Sequence, residues 1–112
     1  MRSRVHLPAE DRQARSRLMQ LLARGEAVLQ ASLVRMARRC GKPGCRCLRG
    51  PKHVSRYLAV RDGRRRVMLY LPPELEEPAR RWIANGQSVR EWLEQMSQAS
   101  LKRLKALKAK RS

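Results

Sequence analysis

RYLAVRDGRRRVMLYL, residues 56 to 71, decides the fold. Asp62-Gly63 stands between two β-prone runs, RYLAV (56 to 60) and RRVMLYL (65 to 71). Asp-Gly in that setting is a strong hairpin signal, because a type I′ turn needs positive φ at both central residues. A turn centred on Asp62-Gly63 sets Leu58 opposite Val67 and Tyr57 opposite Met68. Upstream, SLVRMARR (32 to 39) alternates Val34, Met36 and Arg38 against Leu33, Arg35 and Ala37. The alternation predicts a third strand running into Cys40, with a helix as the alternative reading. Strands 32–39, 56–61 and 65–71 then form a small antiparallel meander, with a cysteine-bearing loop at one end.

Helical patterns flank this meander. Pro8 followed by Glu10 and Asp11 opens a helix, since proline suits the first position and acids suit the positive end of the dipole. Ala14, Leu18, Leu21 and Leu22 form its apolar stripe, and Arg24-Gly25 closes it. Downstream, Pro72-Pro73-Glu74 stops the last strand and starts a second helix. Ala79, Trp82, Gly86, Val89, Leu93 and Met96 recur at intervals of three and four, with Ile83 and Trp92 widening the stripe. Glu76/Arg80 and Glu77/Arg81 lie at i, i+4 in the favourable order. Asn85-Gly86 before Ser88 and Glu91 reads as a stop and a new capping box. The apolar phase nevertheless runs through Gly86 unchanged, which favours one helix, bent there if anywhere.

The expected class is therefore α+β: a short N-terminal helix, a three-stranded antiparallel meander with a zinc-knuckle loop, and a long C-terminal helix. One domain covers 1–112, with the helix at 8–25, the knuckle and meander at 27–71, and the C-terminal helix and basic tail at 73–110. The chain has 112 residues, 4% of them aromatic and none of them Phe. So small a core calls for a second stabilising device: a metal, a long helical seam or a partner chain.

All three cysteines fall in CGKPGCRCLRGPKH, residues 40 to 53, spaced C-x4-C-x-C-x5-H. Structural zinc takes four thiolate or imidazole ligands in a tetrahedron, with tight turns between them. Gly41, Pro43 and Gly44 supply one turn, and Gly50-Pro51 supplies the return to His53. The candidate ligands for Zn2+ are thus Cys40, Cys45, Cys47 and His53, with His6 an untidier fourth. Arg38, Arg39, Lys42 and Arg46 would favour the thiolates. Unmetallated thiols are the alternative, reactive because their neighbours are cationic; a redox or catalytic role is a third.

CGKPGCRC, the following histidine, the tyrosine-bearing hairpin with its D-G turn, the P-x-E-L opening and R-R-W-I in the long helix together resemble a family of small bacterial proteins of uncharacterised function. Members are often met near mobile genetic elements. The resemblance covers about residues 29 to 100. It implies a C-G-K-P-x-C-x-C module followed by hairpin and helix, carried here by Cys40, Cys45, Cys47 and His53, and it implies no established activity. Relatives tend to continue His-Gly-Pro and then tyrosines, where this chain has His53-Val54-Ser55-Arg56-Tyr57. Pro78 is a second departure.

The formal charge is +18, from 27 Lys and Arg against 9 Asp and Glu. No acid occurs from Ala27 to Arg61, while nine Lys and Arg do. Such a balance points to a polyanion, DNA or RNA before an anionic membrane surface. The expected contacts are Arg35, Arg38, Arg39, Lys42, Arg46, Arg49, Lys52 and Arg56, joined by Arg64, Arg65 and Arg66 after the turn. Phosphate contacts of this kind give affinity without sequence choice. Tyr57 and Tyr70 either stack on bases or pack as core.

The leading reading is a small zinc-binding, nucleic-acid-binding protein, an accessory or regulator of a mobile element. The rival is an interaction module without nucleic-acid binding. In that case Trp82, Val89, Leu93 and Met96 of the C-terminal helix form a coiled-coil-like homodimer seam or bind another chain. An enzyme is not expected: there is no Ser/His/Asp set, no phosphate-cradling glycine loop and no carboxylate cluster, and a closed Cys3His site leaves zinc no open position. No stretch approaches the roughly 18 apolar residues of a membrane span, and MRSRVHLPAEDR lacks the apolar run of a secretory signal. Three cysteines cannot all pair within the chain. The expected location is therefore cytoplasmic.

Overall fold

The computed structural model describes residues 7–38 and 53–111. In chain order the elements are α1 (Ala9–Ala23), β1 (Ala31–Arg38), β2 (His53–Asp62), β3 (Arg65–Leu71), a short 3-10 turn (Pro73–Leu75) and α2 (Glu76–Ala109). The strands form one antiparallel sheet in the order β1-β2-β3. This is the α+β arrangement expected, and the alternating run before the cysteines is a strand rather than a helix. Two compact units share the chain: the residues up to Ala27 with those from Asn85 onward, and Val28–Ala84.

The hairpin turn differs from the expected one. Asp62 pairs with Arg65, so the two-residue loop is Gly63-Arg64. Gly63 has φ +66° and no described non-glycine residue has positive φ. Type I′ is excluded; a glycine at the first central position fits type II′. Asp62 therefore stays in the ladder as the last paired residue of β2. Leu58 consequently meets Leu69, and Tyr57 meets Tyr70, not Val67 and Met68. The slip is two residues, so every side chain keeps its expected face.

Direct partners share a face and successive residues alternate. Leu33, Leu58, Val60, Val67, Leu69 and Leu71 lie on one face, the leucine face. Val34, Met36, Tyr57, Ala59, Met68 and Tyr70 lie on the other, the tyrosine face. Within this unit Leu71, Ala79 and Ile83 are buried. The backbone N–H of Leu29 donates to the Trp82 carbonyl at 3.0 Å, fixing the approach to β1 against α2.

In the other unit, α1 ends in the manner its sequence predicts. Arg24 N–H bonds back to Gln20, Gly25 N–H bonds to Leu22, and Gly25 has φ +71°. A side chain there would be strained. The buried stripe, however, is Asp11, Ala14 and Leu21, with Leu18 half-buried and Leu22 59% exposed. Asp11 thus replaces Leu22. Its carboxylate accepts from Arg15 Nε one turn on, and it sits in the first turn, where the dipole favours an anion.

α2 runs 34 residues without a break, about 50 Å. Pro78 falls in its first turn, where a missing N–H costs no intrahelical bond. Asn85-Gly86 is no stop, because Asn85 is used elsewhere. Its Nδ2 donates to the Ala27 carbonyl at 2.9 Å and to Glu26 Oε1 at 3.3 Å. The covered line of α2 is Ala79, Ile83 and Gly86, continuing through half-buried Val89, Trp92 and Met96. Trp82 and Leu93 lie at its edges, 40% and 51% exposed.

Candidate nucleic-acid interface

Antiparallel pairing of β2 with β3 fixes four residues into two rungs. Tyr57 lies opposite Tyr70, with ring centroids 5.8 Å apart at an interplanar angle of 72°, an edge-to-face pair. Arg61 lies opposite Arg66 two rungs further toward the turn, on the same face. Ala59 and Met68 occupy the rung between them. Tyr70 is 57% exposed and Met68 50% exposed, while Tyr57 is half-buried. Both arginines are exposed, and neither joins an ion pair among the described residues. None of the paired strand residues on this face is Asp or Glu. Two like charges directly opposed work against strand pairing unless an anion comes between them.

The leucine face carries its charge differently. Arg35 stands opposite Arg56 and Arg65 opposite Asp62. Arg56 is half-buried, its Nε 3.2 Å from Glu76 Oε1. Arg80 donates through Nε and Nη2 to Glu76 Oε2, at 3.1 and 2.9 Å. The Arg80 hydrogen bonds first, then the charge of Arg56, hold the Glu76 carboxyl below its usual range against the opposing effect of burial. Arg56 is thus already matched by an acid, while Arg35, Arg64, Arg65 and Arg66 are exposed and not ion-paired among the described residues. Glu77 and Arg81 form no ion pair there either.

Of the remaining expected contacts, only Arg38 falls among the described residues. Arg38 closes β1 and is the direct register partner of His53, which opens β2. Arg39, Lys42, Arg46, Arg49 and Lys52 lie outside the described residues, as do Cys40, Cys45 and Cys47. Among the described residues no group of three or more His, Cys, Asp or Glu could hold a metal. The cysteine-bearing segment leaves and rejoins the sheet at directly paired positions, about 5 Å apart at Cα. The backbone at His53 is thereby held close to that of Arg38.

Arg61 is the residue that the sequence pattern left out of the contact set, and the tyrosine pair is the one it left undecided. The signal for both was the turn. Once Gly63-Arg64 is the loop, counting back from Asp62 and Arg65 brings Arg61 to Arg66 and Tyr57 to Tyr70. The proposed interface residues of α2 are placed on one helix: Trp82 and Leu93 are exposed at its edges, and Val89 and Met96 are half-buried. No helix among the described residues is long and apolar enough to cross a membrane.

No curated protein and no solved structure matches the chain. A family model does, over residues 9–81, from α1 through the sheet and into the first turns of α2. The chain therefore belongs to the family described as a domain of unknown function, DUF6788.

Proposed function

We propose that this protein is a small zinc-stabilised, nucleic-acid-binding protein, acting as an accessory or regulator of a mobile element. The observation that carries the reading is the unneutralised charge of the sheet. Five exposed arginines, at 35, 61, 64, 65 and 66, form no ion pair among the described residues, in a chain of net charge +18. Phosphates supply the missing counter-charge, and release of their counterions supplies affinity. Zinc on Cys40, Cys45, Cys47 and His53 would close the segment joining β1 to β2, whose own basic residues add to the charge of the chain. The metal supplies folding energy and no chemistry. The mobile-element setting rests on the resemblance carried by the CGKPGCRC module, the hairpin and the start of the long helix.

The test uses the full chain purified without added metal. One zinc per chain should co-purify, and Cys45→Ser should lose it and lower the melting temperature. Bound nucleic acid should elute on a steep salt gradient. Folding with three titratable thiols and no metal would reject the zinc, and failure to retain nucleic acid at moderate salt would reject the function.

A second reading has its own observation. Leu93, Leu101, Leu104 and Leu107 are 51%, 43%, 64% and 52% exposed along α2. A row of leucines in water fits a helix that pairs with a second copy.

A further inference from the structure

We infer that the tyrosine face of the sheet is a stacking platform for a single strand of nucleic acid, with Tyr70 taking a base and Arg61 and Arg66 taking phosphate. The inference rests on the nucleic-acid reading and narrows it from any duplex or strand to an unpaired one.

Two features of this face are unfavourable in water, and a third, favourable one agrees with them on one ligand. Tyr70 and Met68 leave half or more of their surface exposed beside each other, on neighbouring rungs of β3. Arg61 and Arg66 oppose each other directly, with no acid among the paired strand residues of the face. The edge-to-face contact with Tyr57 steadies the Tyr70 ring at 72° and leaves most of the Tyr70 side chain open. A protein partner would have to set apolar side chains over the rings and carboxylates at both arginines. A nucleic-acid strand brings flat rings and phosphates together.

Geometry selects the strand over the duplex. Bases in a duplex stack on each other and offer only their edges, whereas an unpaired base presents a π-face to an aromatic on an open sheet. From Tyr57 to Arg61 the strand advances four residues, about 13 Å, and Tyr70 and Arg66 mirror that separation on β3. Long arginine side chains at that distance reach the backbone of a nucleotide chain whose base lies on Tyr70.

The test is anisotropy of the full chain with a labelled mixed-sequence single strand, as RNA and as DNA, and with the matching duplex. The parent should bind a single strand more tightly than duplex. Tyr70→Ala should weaken single-strand binding about 5- to 150-fold, and Tyr70→Phe should restore it. Tyr70→Leu keeps apolar cover on the sheet without the π-face, so it should fold as the parent does and still bind poorly. Replacing Arg61 and Arg66 with Gln should flatten the salt dependence by roughly 0.7 for each phosphate no longer neutralised. Tyr70→Leu binding like the parent, or tighter binding to duplex, would overturn the platform while leaving the nucleic-acid reading standing. Absence of binding to all probes would overturn both.

Discussion

Arg56 on β2 and Glu76 at the start of α2 form an ion pair, Nε to Oε1 at 3.2 Å, while Arg80 holds the other carboxylate oxygen. One acid therefore joins the sheet to the helix that comes after it, between two cations. On a chain with 27 basic and 9 acidic residues, an acid shared in this way is a scarce resource. It also sets Arg56 apart from the exposed arginines of the sheet, which form no ion pair among the described residues.

The pH dependence comes from the direction of the Glu76 shift. Its carboxyl is held below the usual value of 4.5 in the folded chain. A depressed carboxyl stabilises the fold fully above its unfolded value, and that contribution is lost as pH falls through the folded one. Melting curves of the parent should thus fall more steeply with acid, below about pH 5, than those of Glu76→Gln. Parallel curves for the two proteins would show that the pair contributes nothing to stability.

Asn85 makes a second test, of the unbroken helix. Its side-chain amide reaches Ala27 and Glu26, fastening the chain after α1 to the first third of α2. Asn85→Ala removes those bonds and leaves α2 a better helix former at that position. If the fastening matters more than propensity, the variant should lose about 1 kcal/mol on denaturant unfolding. A gain in stability would mean that Asn85 serves only the helix surface.

The same residue shows where sequence reading reached its limit. The period of apolar residues carried the long helix through Asn85-Gly86, while local stop chemistry argued against it. The tertiary acceptor at Ala27 decides between them, and no local pattern contains it. At Asp62-Gly63 the hairpin was legible from the dipeptide, but its register was not. Either Asp62-Gly63 or Gly63-Arg64 makes a two-residue loop, and pairing Asp62 with Arg65 settles the choice. Asp11 was legible as a helix-start acid and not as a buried one, since its burial depends on what covers α1. The cysteines were legible as a cluster by spacing alone, and they lie outside the described residues.

Leu93 separates the two functional readings. It is half-exposed on α2, so Leu93→Glu should change the unfolding free energy by no more than about 0.5 kcal/mol. If α2 pairs with a second copy, the same change places a charge in the seam and should shift the sedimenting mass toward the monomer. A parent that sediments as a monomer at all concentrations rejects that pairing. A collapse in melting temperature would instead show that Leu93 is covered in solution.

The charge argument can be tested by comparing two matched triplets. Arg64 lies in the turn, Arg65 on the leucine face and Arg66 on the tyrosine face, so replacing all three with Ala strips the hairpin end of the sheet. Replacing Lys102, Lys105 and Lys108 with Ala removes the same charge from the exposed end of α2. Long-range attraction depends on total charge and is screened at physiological salt over about 8 Å, so both variants should lose it equally. Direct phosphate binding depends on position. The arginine variant should therefore bind more weakly than the lysine variant, and its slope of log affinity against log salt should flatten by about 0.7 to 0.9 for each phosphate no longer neutralised. The lysine variant should keep the parent slope. Equal reductions in affinity and slope would make the protein a diffuse polycation, with the sheet contributing structure and no interface.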